Sequence, residues 1–166
     1  RVFRLGWPIS LTALAEVGLF SASALMMGWL GTVPLAAHGI AMQLTSLSFM
    51  VHLGLGNVAT IRAGNAMGRA DAEHLARGAR TVILMSAIFA VATSALFLLL
   101  PEPLILAFMR EGEEARAEIL AIGVILLAMA ALFQLVDGAQ AVALGLLRGV
   151  QDTAIPMWIA SFSYWI

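Results

Sequence analysis

Glu16 and Asp137 are the acidic residues that fall inside long apolar runs of this chain. A carboxylate at the centre of a membrane span costs about 2.5–3.5 kcal/mol on insertion scales, so it faces a bundle interior or a water-filled cavity. Counted at about 1.5 Å per residue, Glu16 lies roughly 18 Å in from Arg4 and Asp137 roughly 16 Å in from Arg148. Two acids on different helices therefore reach nearly one level. In a medium of low dielectric constant such a pair makes a site that holds a proton or a small cation, sodium included. The structural alternative is that each acid pairs with an amide or backbone group to hold helices together.

Residues three or four apart share a helix face. Around Asp137 these are Phe133, Gln134, Gln140 and Ala141, and around Glu16 they are Thr12, Leu19 and Phe20. Gln134 and Gln140 offer oxygen ligands to a cation, or else cross-helix hydrogen bonds worth about 1 kcal/mol each. His52 lies about 15 Å in from Arg62, near the depth of the acids, which makes it a proton-relay candidate as well as a packing residue. His38 sits near the opposite surface and reads as structural. Met26, Met27, Met42 and Met50 supply either a pliable wall for varied ligands or ordinary gap filling. Gly64 with Gly68, Gly145 with Gly149, and Gly54 with Gly56 read as places where helices approach closely.

The elements that must carry these residues are membrane helices. Hydrophobic residues make up 61% of the 166 and charged residues 11%, against about 25% charged in soluble domains. The apolar residues cluster in runs of about 20, the length that spans a bilayer core as a helix. We expect an all-α polytopic bundle with helices over about 7–30, 35–66, 79–100, 117–147 and 154–166. This gives four complete spans and the start of a fifth. Pro8 takes a first-turn position, and Pro101 with Pro103 ends the third span. The chain opens at Arg1 and stops inside an apolar run at Ile166, so residues 1–166 read as a partial transmembrane lobe of a longer protein.

Composition also excludes function classes. A net charge of -1 provides no basic stripe for neutralising phosphates, so nucleic acid is not an expected partner. With no cysteine there is no thiolate metal site or cysteine nucleophile. No phosphate-binding loop, zinc spacing or serine hydrolase motif occurs, so neither enzymatic activity nor an organic cofactor is expected.

The motifs taken together resemble the carboxy-terminal six-helix lobe of the multidrug and toxic compound extrusion family. The resemblance rests on Gly6-Trp7-Pro8 followed by Glu16, Gly28-Trp29-Leu30-Gly31 leading into Leu35-Ala36-Ala37-His38, and Arg62-Ala63-Gly64-Asn65-Ala66-Met67-Gly68. It continues through Phe133-Gln134-Leu135-Val136-Asp137-Gly138-Ala139-Gln140 and Leu147-Arg148-Gly149-Val150-Gln151-Asp152-Thr153 before Pro156 and Tyr164-Trp165. It implies a twelve-helix, two-lobed antiporter that exports cationic or amphipathic compounds while protons or sodium ions move inward. The amino-terminal lobe of the same protein would then be a partner. It further implies that Glu16 and Asp137 match the cation-site acids of this lobe. Phe133 departs from some sodium-coupled relatives, which place a tyrosine there, and this favours protons. His52 matches no family motif. Two rival readings are a lipid-linked precursor flippase of related architecture and a non-transporting membrane scaffold.

Arginine placement orients the chain, since cytoplasmic loops accumulate positive charge. Arg1, Arg4, Arg62, Arg69, Arg77, Arg80 and Arg148 fall on one side, whereas Arg110 and Arg116 lie on the other among glutamates. The start of the chain is thus expected in the cytoplasm, in the inner membrane of a bacterium. Single cysteines introduced at Ala72, Gln151 and Glu114 test this, because the segment has no cysteine of its own. An impermeant thiol reagent on intact cells should label the third and spare the first two; the reverse pattern inverts the topology.

Overall fold

The computed structural model describes residues 2–110, 112 and 114–165, so the side chains of Glu111 and Glu113 lie outside the described residues. It contains α1 (Val2–Leu30), α2 (Thr32–Gly68), α3 (Ala72–Leu99), α4 (Pro101–Leu106), α5 (Arg116–Gly149) and α6 (Ala154–Trp165). Four of these are long and apolar enough to cross a membrane, over Leu5–Leu30, Thr32–Gly68, Ala72–Leu99 and Arg116–Gly149. At 37 residues α2 is about 55 Å long. It therefore projects well beyond a hydrocarbon core of about 30 Å.

Three boundaries differ most in kind from the sequence expectation, beside shifts of one to three residues at the ends of α2 and α5. Helix α1 starts at Val2, which puts Pro8 inside the helix and not in its first turn. Thr12 Oγ1 donates to the Pro8 carbonyl at 2.9 Å, the i to i−4 back-bond by which a helical threonine satisfies its hydroxyl. Helix α3 starts at Ala72, earlier than expected, because Asp71 caps it by accepting from the His74 N–H at 2.8 Å. That bond holds the Asp71 carboxyl below its usual range. Third, Pro101 and Pro103 end α3 but also begin α4, where Pro101 stands at a helix start that needs no N–H.

The helices turn in very few residues. Gly31 alone separates α1 from α2, with φ 125°, a conformation that side chains other than glycine's disfavour. Helices α2 and α5 end in matching turns. Ala70 and Gln151 take φ 53° and 66°. The Asp71 N–H bonds the Ala66 carbonyl at 3.0 Å, and the Asp152 N–H bonds the Leu147 carbonyl at 2.9 Å. Both turns thus satisfy carbonyls that the helix end would otherwise strand.

Helices α2, α3 and α5 form the centre of the bundle, with α2 and α5 sharing the most extensive interface, while α1 packs on α6 and α2. Their buried faces are lined by small and polar residues. On α3 these are Gly78, Val82, Ser86, Ala90, Ser94 and Phe97, spaced by three or four. Large apolar side chains point outward instead, as Trp29 and Leu99 do at 77% exposure each. That inversion suits a lipid surround, where exposed leucine costs nothing and small residues let backbones meet.

The tightest meeting is between α2 and α5. A Cβ placed on Gly145 would collide with the Gly56 carbonyl, and one on Gly149 would come within 2.6 Å of the Thr60 carbonyl. Thr60 Oγ1 lies 2.8 Å from the Gly145 carbonyl, a bond across the same contact. Gly54 and Gly68, read from the sequence as further approach points, meet nothing within 4 Å. Gly145→Ala should accordingly destabilise the full-length protein by about 1–3 kcal/mol, the usual cost of overpacking. Gly64→Ala should not, since its Cβ would stand 3.6 Å from the nearest atom. Thermal unfolding in detergent reads both; equal midpoints for the two variants would contradict the assigned contact.

Candidate functional site

Helix α5 presents two working faces. Gln134, Gly138, Val142, Gly145 and Gly149 are buried on the first, which meets α2 and α3. The second runs through Asp137, Gln140, Ala141, Leu144 and Arg148 and lines a small cleft with Glu16 of α1 and with Phe49, Leu53 and Asn57 of α2. The cleft has a volume of about 40 Å³. Asp137 is buried at 8% exposure, whereas Glu16 is half-buried. Glu16 acts electrostatically on Asp137, and Arg148 acts on Glu16. The two acids at one depth therefore belong to one cleft, and Gln140 stands in it with them.

The other sequence candidates stand elsewhere. Gln134 is a structural crosslink: its Oε1 accepts from Ser48 Oγ at 2.7 Å and its Nε2 donates to Ser94 Oγ at 3.0 Å. Ser94 Oγ in turn donates to the Ala131 carbonyl at 2.7 Å, so one buried chain of bonds ties α2, α5 and α3. One turn along, His52 Nδ1 lies 2.8 Å from Ser86 Oγ, which is 3.4 Å from the Gly138 carbonyl. The imidazole is 1% exposed and packs edge-on to Phe89 at 5.3 Å between ring centroids. A Cβ on Gly138 would come within 2.6 Å of that ring, so the glycine next to Asp137 makes room for it. His52 shares the depth of the acids but lies on the α3 side of the bundle and does not line their cleft.

Phe133 also faces away from the acids. Its ring meets Phe20 edge-on at 6.1 Å, and both line an apolar cavity of about 330 Å³ with His38, Met42 and Met129. Met26 and Met50 are exposed on the outside of the bundle. Asn57 and Arg148 were not singled out as site residues from the sequence. The signal for Arg148 is present in the sequence, because residues 11 apart on a helix return to one face. Asn57 carried a weaker signal, an amide inside an apolar run.

The MatE family model matches residues 8–166. The chain belongs to the MatE family. Among its relatives is the "Probable multidrug resistance protein NorM" of Agrobacterium fabrum, 48% identical over 165 residues, covering 99% of this chain and 36% of the relative. The protein of the same name from Pseudomonas putida is 41% identical over 166 residues, covering 100% of the chain and 36% of the relative. The "Multidrug resistance protein NorM" of Burkholderia vietnamiensis is 40% identical over 162 residues, covering 97% and 35%. The chain thus spans about a third of the length of the MatE relatives it matches. It is an integral membrane segment of that family, whose relatives carry multidrug resistance names.

The crosslink at Gln134 and the cleft of the two acids differ in the mutant phenotype they predict. Gln134→Leu strips Ser48 of its acceptor while Ser94 keeps the Ala131 carbonyl. Two bonds go and Ser48 is left without an acceptor, so the expected loss is about 1–3 kcal/mol of stability, read as a lower thermal midpoint in detergent. The cation dependence of transport by the full-length protein should stay native. A changed cation dependence at unaltered stability would instead make Gln134 a ligand.

Proposed function

We propose that the full-length protein is a secondary antiporter that exports cationic or amphipathic compounds in exchange for a monovalent cation held at Glu16 and Asp137. The observation that carries this reading is the convergence of the two carboxylates, from α1 and α5, in one small cleft with Asn57 and Gln140. Isolated acids in a membrane bundle are costly to keep, and an acid pair in a cavity is what a proton or cation site requires. The multidrug resistance names of the relatives support export of varied compounds as the driven process. The remaining two thirds of the relatives' length accommodates a second lobe, with substrate moving between the two. The apolar cavity beside Phe20 and Phe133 supplies part of a substrate wall.

Coupling follows if cation and substrate favour opposite states of one conformational equilibrium, since only differential affinity shifts populations. A cation between Glu16 and Asp137 would draw α1 toward α5 and relieve the repulsion between the carboxylates. A proton needs no ligand beyond a carboxylate of the cleft. Sodium is the second reading, favoured by the amides of Asn57 and Gln140 in the cleft, because it needs several hard oxygen ligands. The positive-inside pattern supports a cytoplasmic start of the chain and a bacterial inner membrane location.

Glu16→Gln and Asp137→Asn keep shape and hydrogen bonding but remove the charge that holds a cation. In proteoliposomes each should cut dye export driven by an imposed proton or sodium gradient at least tenfold, with insertion and yield unchanged. Native export by both variants would reduce the acids to packing residues. Export by the unaltered protein under a pH gradient without sodium assigns the proton, and export only under a sodium gradient at clamped pH assigns sodium. No flux of any cationic dye under either gradient would favour a scaffold.

A further inference from the structure

Among the described residues, Glu16, Asp137 and Arg148 are the charged side chains that line the cleft, while Asn57 and Gln140 are its neutral polar ones. Two carboxylates and one guanidinium leave a formal charge of minus one. Arginine keeps its charge in proteins at any accessible pH, so the positive part of that balance is fixed from within the fold. Arg148 occupies the last turn of α5, and its charge reaches Glu16. The cleft is small, about 40 Å³, against the roughly 10–15 Å³ needed to hold one water, so it admits small ions and a few waters. Its net charge matches one monovalent cation.

We propose that Arg148 is the resident counter-charge of this cleft, which limits it to one monovalent cation per cycle and excludes divalent cations. This rests on Glu16 and Asp137 being the coupling-cation acids. Without Arg148 the cleft would carry two uncompensated negative charges and lose a bulky occupant. A second proton or sodium ion, or one divalent cation, would then fit both the charge and the space. Calcium takes 6–8 oxygen ligands in its usual sites, and the guanidinium denies it both the charge and the volume for such a shell. Arg148 acts here on Glu16, and not on the exported compound, so it is a specificity-determining residue of the cation site. The prolonged α5 makes this possible, since Asp137 and Arg148 fall on one helix face three turns apart.

The test uses the full-length protein in proteoliposomes with ethidium as the exported probe. The ratio of cations to dye is measured from the opposing dye gradient that just stops flux at a fixed cation gradient. The native protein and Arg148→Lys should give a ratio of one and be insensitive to millimolar calcium. Arg148→Gln should approach two and become inhibited by calcium. The double variant Glu16→Gln with Arg148→Gln returns the cleft to minus one and should regain coupled export that Glu16→Gln alone has lost. If Arg148→Gln does not transport, cations bound per purified protein are counted by sodium-22 binding and by proton release on dye addition, with two expected against one. A native ratio and native calcium insensitivity in Arg148→Gln, or a double variant no better than Glu16→Gln, would overturn the proposal. Native coupling in Glu16→Gln and Asp137→Asn would instead remove the antiport reading on which it stands.

Discussion

Inside a bilayer the lipid tails are as apolar as leucine, so helices gain little by burying leucine against leucine and are held by close backbone approach and hydrogen bonds. In this chain that constraint acts first at Gly56 and Gly145, where α2 and α5 meet with no space for a Cβ. The contact sets the rotation of both helices. With α5 held there, Gln134 and Gly138 must face α2 and α3, and Asp137, Gln140 and Arg148 must face the cleft that Glu16 closes.

The polar groups in the bundle divide by what satisfies them. Ser48, Gln134 and Ser94 bond one another and a backbone carbonyl, and His52 has Ser86 at Nδ1 while its Nε2 has no partner among the described residues. Such bonds are worth about 1 kcal/mol each in membranes, but several in two adjacent layers fix the register of three helices. Glu16 and Asp137 stand apart from these layers, beside a cavity and near one guanidinium. Groups that are bonded to one another resist change. Acids that face a cavity are available to a mobile charge, which is why the proposed coupling site lies on the cleft side of α5 and the crosslinks on the other.

The short connections have a mechanical consequence. Gly31 and the turns at Ala70 and Gln151 join helices through one to four residues. Neighbouring helices therefore cannot slide far along each other without breaking a cap. A proposed movement of α1 relative to α5 would be chiefly a tilt, and Thr12 with Pro8 marks a place where α1 lacks one backbone bond and bends more easily. The cleft lies two turns further along α1, close enough for such a bend to change the separation of the carboxylates.

Much of this was legible in the residues themselves. Apolar runs near the span length fixed the number of crossings, because a backbone in lipid has no alternative to the helix. Depth counted along two helices put Glu16 and Asp137 at one level, and the ordered motifs pointed to the family. The helix ends were less legible, since capping by Asp71 and restarting at Pro101 depend on local hydrogen bonds that hydropathy does not register. Facing was decided only in three dimensions. His52, Gln134 and Phe133 share the neighbourhood of Asp137 in depth or sequence, yet two of them join crosslinks and the third an apolar cavity, while Asn57 and Arg148 enter the cleft. Depth is a property of one helix, counted from its own ends; facing is a property of a pair, and here it was set by which glycines allowed two backbones to touch.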